Sequence, residues 1–149
     1  MPEIQFVHFE EVEPWSVLPQ LHGERRASVH LHVLEQSDER FVSYTRYDPD
    51  YVVEAHRHKG DQLIHVLEGA MEVGGHACPK GTTIILPQGA VLGPIVAGPG
   101  GAHILEVFLG RDANHPLPVD TEGTSDLFAA RGIVPLFDVH GPRTSKRPE

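Results

Sequence analysis

Asp50-Tyr-Val-Val-Glu-Ala-His56-Arg-His58-Lys-Gly-Asp-Gln62-Leu-Ile-His-Val-Leu-Glu-Gly69 is the stretch that decides the fold. In an extended strand alternate side chains share a face, so His56 and His58 project together, about 7 Å apart along the backbone. Two imidazoles so placed can reach one ion. Lys59-Gly60-Asp61 supplies a turn, after which Gln62 opens the next strand and can bring an oxygen ligand to the same point. Imidazole nitrogen with a carbonyl oxygen suits a divalent first-row metal, whether Fe, Mn, Ni, Cu or Zn, and does not select among them.

Outward from this stretch, Gly and Pro separate short apolar runs at intervals of roughly ten residues, the punctuation of a sandwich or barrel. Strands are predicted at residues 4–9, 27–34, 41–47, 51–56, 62–68, 70–73, 82–86, 93–96 and 103–109, segments rich in Val, Ile, Tyr and Phe. Glu68-Gly69 and Gly74-Gly75 read as hairpin turns, and Pro79-Lys80-Gly81 and Pro87-Gln88-Gly89 bracket a further strand. One short helix is predicted at residues 125–131, capped by Thr124 or Ser125. Residues 1–138 read as one domain, and residues 139–149, polar and basic, as a disordered tail.

The 149-residue chain can bury a core without staples. A net charge of −9 and the absence of a dense Lys/Arg run argue against a nucleic-acid partner. Cys78 is the single cysteine, so neither an intrachain disulfide nor a polythiolate zinc site can form. Residues 1–13 lack the basic start and apolar core of a secretory signal, and no apolar run nears the roughly 18 residues that span a bilayer. A soluble cytoplasmic protein without a membrane partner is expected. The other histidines, among them His8, His22, His30, His32, His76, His115 and His140, have no partner at ligand spacing.

The segment resembles the first motif of the cupin family: Gly, five residues, His-x-His, three or four residues, Glu, six residues, Gly. Asp50 stands at the first glycine, His56 and His58 form the pair, Gln62 stands where Glu is usual, and Gly69 closes the motif. The second motif, Gly, five residues, Pro-x-Gly, two residues, His, is matched by Gly81, Pro87 and Gly89, with Leu92 at the histidine position. The resemblance covers roughly residues 40–110. It implies an all-β fold, a double-stranded β-helix or jelly-roll barrel, with short extra strands before the core and an irregular C-terminal extension.

It also implies one divalent metal ion held by His56, His58 and Gln62, and a homodimer. In related cupins an Asp/Glu-x-Phe near the end of the strand at 103–109 resembles cavity-lining residues, here Glu106 and Phe108, which sets His103 outside. Glu106 is then the candidate general acid or base, because burial of a carboxylate raises its proton affinity toward neutrality. Tyr44 and Arg46 share a strand face and either line the cavity, with Arg46 gripping a substrate carboxylate, or form a surface ladder. Phe108 completes the candidate substrate-binding set.

The leading expectation is a metal-dependent enzyme on a small organic molecule, a dioxygenase or an isomerase or lyase. The alternative is a non-catalytic sensor similar to the zinc-binding cupin portion of anti-sigma factors. A barrel without metal is a third reading, since Leu92 cannot coordinate.

Overall fold

A computed structural model describes residues 1–119 and 121–139. Its elements are a 3-10 turn at Phe9–Glu11, then β1 (Trp15–His22), β2 (Arg25–Gln36), β3 (Arg40–Tyr47), β4 (Val52–Val53), β5 (His56–His58), β6 (Asp61–Val73), β7 (His76–Pro79), β8 (Thr83–Leu86), β9 (Ile95–Leu109), β10 (Pro116–Pro118), α1 (Thr121–Ala130) and β11 (Ile133–Pro135). Every pairing is antiparallel. One sheet runs β11-β1-β2-β3-β9-β6-β7, with β4 added to β9 and β8 to β6, while β5 and β10 form a separate pair. The all-β jelly roll expected from the sequence is the fold observed.

Period-two alternation builds the interior. In β3, Phe41, Ser43, Thr45 and Tyr47 are buried while Arg46 is exposed, and in β9 Ala102, Ile104, Glu106 and Phe108 are buried. Gln62, Ile64 and Val66 of β6 face the same core, which packs Val29, Tyr47, Tyr51, Ile64, Val66, Ile95 and Ile104 together. Cys78 is buried at 2 % exposure in that cluster, a packing role.

Several boundaries differ from expectation, each for a physical reason. Residues 4–9 form no strand: Ile4 and Phe6 are exposed, and the segment ends in the 3-10 turn. Strand β1 escapes the sequence reading because Pro19 lies inside it. The proline is accommodated by a register shift between Val17 and Gln20, with Leu18 at φ +50°. Glu68-Gly69 is no hairpin turn. β6 continues through it to Val73, with irregular register on either side of the pair. β9 likewise continues across Gly98-Pro99-Gly100-Gly101, joining the two strands predicted at 93–96 and 103–109. Gly74 and Gly75, both at positive φ, do make the turn into β7. The helix begins at Thr121, so neither Thr124 nor Ser125 caps it. Of the tail predicted at residues 139–149, residues 140–149, with His140, lie outside the described residues. Among the described residues no helix is long and apolar enough to cross a membrane.

Asp48, just past β3, ties two strands. Its Oδ2 accepts the Ser28 backbone N–H at 2.8 Å and pairs with His30 Nε2 at 3.0 Å. Burial pushes its carboxyl up, but the hydrogen bonds from His30 and Ser28 outweigh that and hold it below its ordinary value. A depressed folded-state pKa contributes stability above the unfolded pKa, near 4 for Asp, and loses it as pH falls through the folded value. Asp48→Asn is therefore expected to cost about 1 kcal/mol at pH 7. The urea-midpoint gap to the parent protein should close as pH drops below about 4.

Candidate metal centre

The short strand β5 is held along both edges. On one side β10 pairs with it, Pro116 opposite His58 and Pro118 opposite His56. On the other, the His56 N–H donates to the Leu92 carbonyl at 2.9 Å and the Leu92 N–H donates back at 2.8 Å. This double grip fixes the backbone under both imidazoles. Their ring centroids are 4.8 Å apart with planes at 84°, so the two side chains that alternation sets on one face do meet.

The hydrogen bonds decide which nitrogen each ring can offer. His56 Nδ1 lies 2.7 Å from the Glu54 carbonyl, which can only accept, so Nδ1 carries the proton and Nε2 keeps its lone pair. In His58 the buried Nδ1 has no hydrogen-bond partner. Burial, with the neighbouring His56, lowers the His58 pKa to about 3, against the pull of the Asn114 and His115 backbone carbonyls. The ring is neutral at ordinary pH, the state in which imidazole ligates.

Gln62 opens β6 at 2 % exposure, opposite Phe108 of β9. Phe108 also meets the His58 ring at 4.8 Å between centroids, so the aromatic side chain abuts both. Gln62 Nε2 donates to Glu106 Oε1 at 3.3 Å, and its own Oε1 is buried without a partner. Glu106 is enclosed further by the Thr45 hydroxyl, which donates to Oε2 at 2.8 Å and is itself 3.0 Å from Ser43 Oγ. Burial raises the Glu106 pKa to about 7, with the Thr45 hydrogen bond pulling the other way. A carboxyl at that value exchanges protons near neutral pH, the property required of a general acid or base.

These residues fit a divalent cation. His58 Nδ1 and Gln62 Oε1 are buried polar atoms without a hydrogen-bond partner, and each such atom costs roughly 1–3 kcal/mol unless something binds it. A cation satisfies acceptors where another acceptor cannot. Among the described residues no three His, Cys, Asp or Glu side chains gather for a metal, so a donor set here depends on the carboxamide as third member. Leu92, at 2 % exposure beside His56, closes one flank with an apolar side chain.

Tyr44 and Arg46 do not line the interior, which corrects their placement in a substrate-binding set. Strand parity puts them on the outer face of β3, where Tyr44 Oη meets His103 Nδ1 at 2.6 Å, while Ser43 and Thr45 point inward. His103 is thus outside, as parity requires. His65 is outside as well, 2.8 Å from Thr83 Oγ1. Phe108 is inside, edge-on to Phe41. Sequence spacing missed Thr45 and Ser43, whose signal was their in-phase position with Phe41 and Tyr47. It also missed His115, close enough for its charge to act on His58. Nothing local marked His115, because β10 brings it there by a long-range pairing.

Comparison with known proteins agrees with this architecture. A family model described as the ChrR cupin-like domain matches residues 5–107. Among solved structures, a candidate acetylacetone dioxygenase from Methylibium petroleiphilum PM1 superposes with a TM-score of 0.64 at 15% identity, covering 88% of this chain and 96% of that one. An acetylacetone dioxygenase from Acinetobacter johnsonii gives 0.57 at 16% identity, covering 83% and 81%. The polyketide cyclase RemF from Streptomyces resistomycificus gives 0.57 at 21% identity, covering 79% and 87%. No curated protein matches in sequence. Identities this low carry the fold and no more, whereas the family match spans most of the chain, and by it the protein belongs to the ChrR cupin-like family.

Proposed function

We propose that the chain is a metal-dependent cupin enzyme acting on a small, oxygen-bearing organic molecule, by dioxygenase chemistry or by isomerisation or elimination. The observation that carries the reading is the pair of buried polar atoms without a hydrogen-bond partner, His58 Nδ1 and Gln62 Oε1. His56 Nε2 is the third donor. When bound, a divalent ion would supply Lewis acidity, or oxygen activation if it is iron. Glu106 takes or returns the proton at its carboxyl, Thr45 holds that carboxyl in place, and Phe108 and Leu92 keep bulk water from the substrate. The names of the relatives from Acinetobacter johnsonii and Streptomyces resistomycificus, a dioxygenase and a cyclase, support small-molecule chemistry on this fold. A cytoplasmic homodimer is part of the same reading. The exposed cross-strand neighbours Leu63 and Ile85 offer it an apolar outer face.

Metal analysis tests the centre. Protein purified without added metal, then offered Fe, Mn, Ni, Cu or Zn, should retain close to one equivalent, and retention below about a tenth overturns the site. Gln62→Ala should weaken binding on the order of tenfold, measured by competition with a chromogenic chelator.

The family match favours one second reading, a metal- or ligand-binding sensor without turnover, because the matching model is named for ChrR. The two readings share the donor set and differ in what Glu106 does.

A further inference from the structure

On the outer face of the barrel, away from Glu106, side chains from β1, β2 and the residue just past β3 form a hydrogen-bonded line. Ser16 of β1 and His30 of β2 stand directly opposite in register, and Ser16 Oγ lies 2.8 Å from His30 Nδ1. The far nitrogen, His30 Nε2, is 3.0 Å from Asp48 Oδ2. Asp48 is in turn anchored by the Ser28 backbone N–H. An ionised carboxylate only accepts, so Nε2 carries the ring proton and Nδ1 faces the serine with a free lone pair. The base is therefore oriented by a third group and aimed at a hydroxyl, the arrangement by which a serine nucleophile is recognised irrespective of chain order. The imidazole is turned over relative to the familiar serine hydrolases, with the carboxylate on Nε2, but the proton relay is the same.

The surroundings suit a reacting ester. Ser16 is exposed, so a substrate can reach Oγ without the barrel opening. Arg46 stands opposite His30 in the β2–β3 register, on the same face and exposed, and its charge acts on the Asp48 carboxylate. One row along, Phe9 lies flat on Tyr44 at 4.0 Å between centroids, and His32 Nδ1 meets the Val12 carbonyl at 2.9 Å. The chain leading into β1 thus packs Phe9 and Val12 over the row next to the triad.

The geometry points to Ser16, His30 and Asp48 as a second, metal-independent site that cleaves small activated carboxylic esters. Ser16 Oγ attacks the carbonyl carbon and its proton passes to His30 Nδ1. The bond to the leaving oxygen breaks, that oxygen takes the proton from His30, and Ser16 is left acylated. Water then adds to the acyl carbon, giving its proton to His30, and the carboxylic acid departs as Ser16 recovers its proton.

The test uses the full chain after chelation of metal, so that its outcome is separate from that of the interior centre. A fluorophosphonate probe should form one adduct per chain, mapped by peptide mass to Ser16. p-Nitrophenyl acetate should release a burst of nitrophenolate. Ser16→Ala should abolish adduct and burst while its circular dichroism matches the parent protein. His30→Gln should slow labelling on the order of 10²-fold, and Asp48→Asn should slow it less while leaving Ser16 the labelled residue. No adduct, an adduct elsewhere, or labelling of Ser16 at an unchanged rate in His30→Gln would each overturn the assignment.

Discussion

Gly69→Ala is expected to destabilise the fold by roughly 4 kcal/mol, enough to leave little folded protein at 37 °C. Two costs combine. Gly69 sits at φ +72°, a conformation that costs an L-residue about 1–2 kcal/mol. A methyl group there would also be driven against the Gly101 carbonyl oxygen and 3.1 Å from Ala102 Cα. Both are backbone atoms of β9, and overpacking against groups that cannot move costs a further 1–3 kcal/mol or so. Gly101 is crowded in turn: a Cβ on it would stand 2.6 Å from the Tyr47 carbonyl of β3. β3, β9 and β6 are consecutive in the sheet, so at these glycines neighbouring backbones leave no room for a side chain. Urea unfolding checks the prediction, with Gly75→Ala as the comparison. Gly75 has φ +82° but nothing within 4 Å of its missing Cβ, so only the conformational cost should appear.

The same glycine shows why strand ends were the least legible feature. A Gly at positive φ serves a hairpin turn and a bulge equally well, and only the partner strand distinguishes them. At Gly74-Gly75 the chain reverses, and at Gly69 it runs on because β9 continues beside it to Ile95. Asp50 shows the reverse case. It replaces a motif glycine yet keeps the left-handed backbone, φ +62°, which Asp tolerates better than most residues. The motif there constrained conformation, and the sequence showed residue identity alone.

The interior face was legible where spacing maps directly onto direction. His56 and His58 meet because a strand repeats every second residue, and Glu106 with Phe108 follows the same rule. Tyr44 and Arg46 share a face, as alternation requires, but which face of β3 is the inner one is set by its partners, and of the two placements open to them the surface one is observed. The small hydroxyls of Ser43 and Thr45 are what reach Glu106. The exchange of Glu for Gln at position 62 also gains a physical reason. Its side chain lies 3.3 Å from Glu106, where a second carboxylate would force two like charges into a buried space. A carboxamide can donate to Glu106 with one end and offer an oxygen with the other.

Glu106→Gln separates enzyme from sensor and has the largest expected effect on function. If Glu106 moves the proton, turnover of a true substrate should fall by about 10²–10⁴-fold with metal content retained, since the amide keeps the shape but cannot cycle a proton. A sensor would keep its ligand affinity and lose nothing catalytic. A second readout needs no substrate. In the metal-free chain the buried carboxyl has its pKa raised from an ordinary 4.5 to about 7. Between those values the folded state holds a proton that the unfolded state has released, so folding stability falls as pH rises through the window, by about 3 kcal/mol in all. The Glu106→Gln variant lacks this loss. Its urea stability relative to the parent protein should therefore rise between pH 4.5 and pH 7 and level off above. A constant difference across that range would show that Glu106 titrates as an ordinary carboxylate, and its role in proton transfer would go with it.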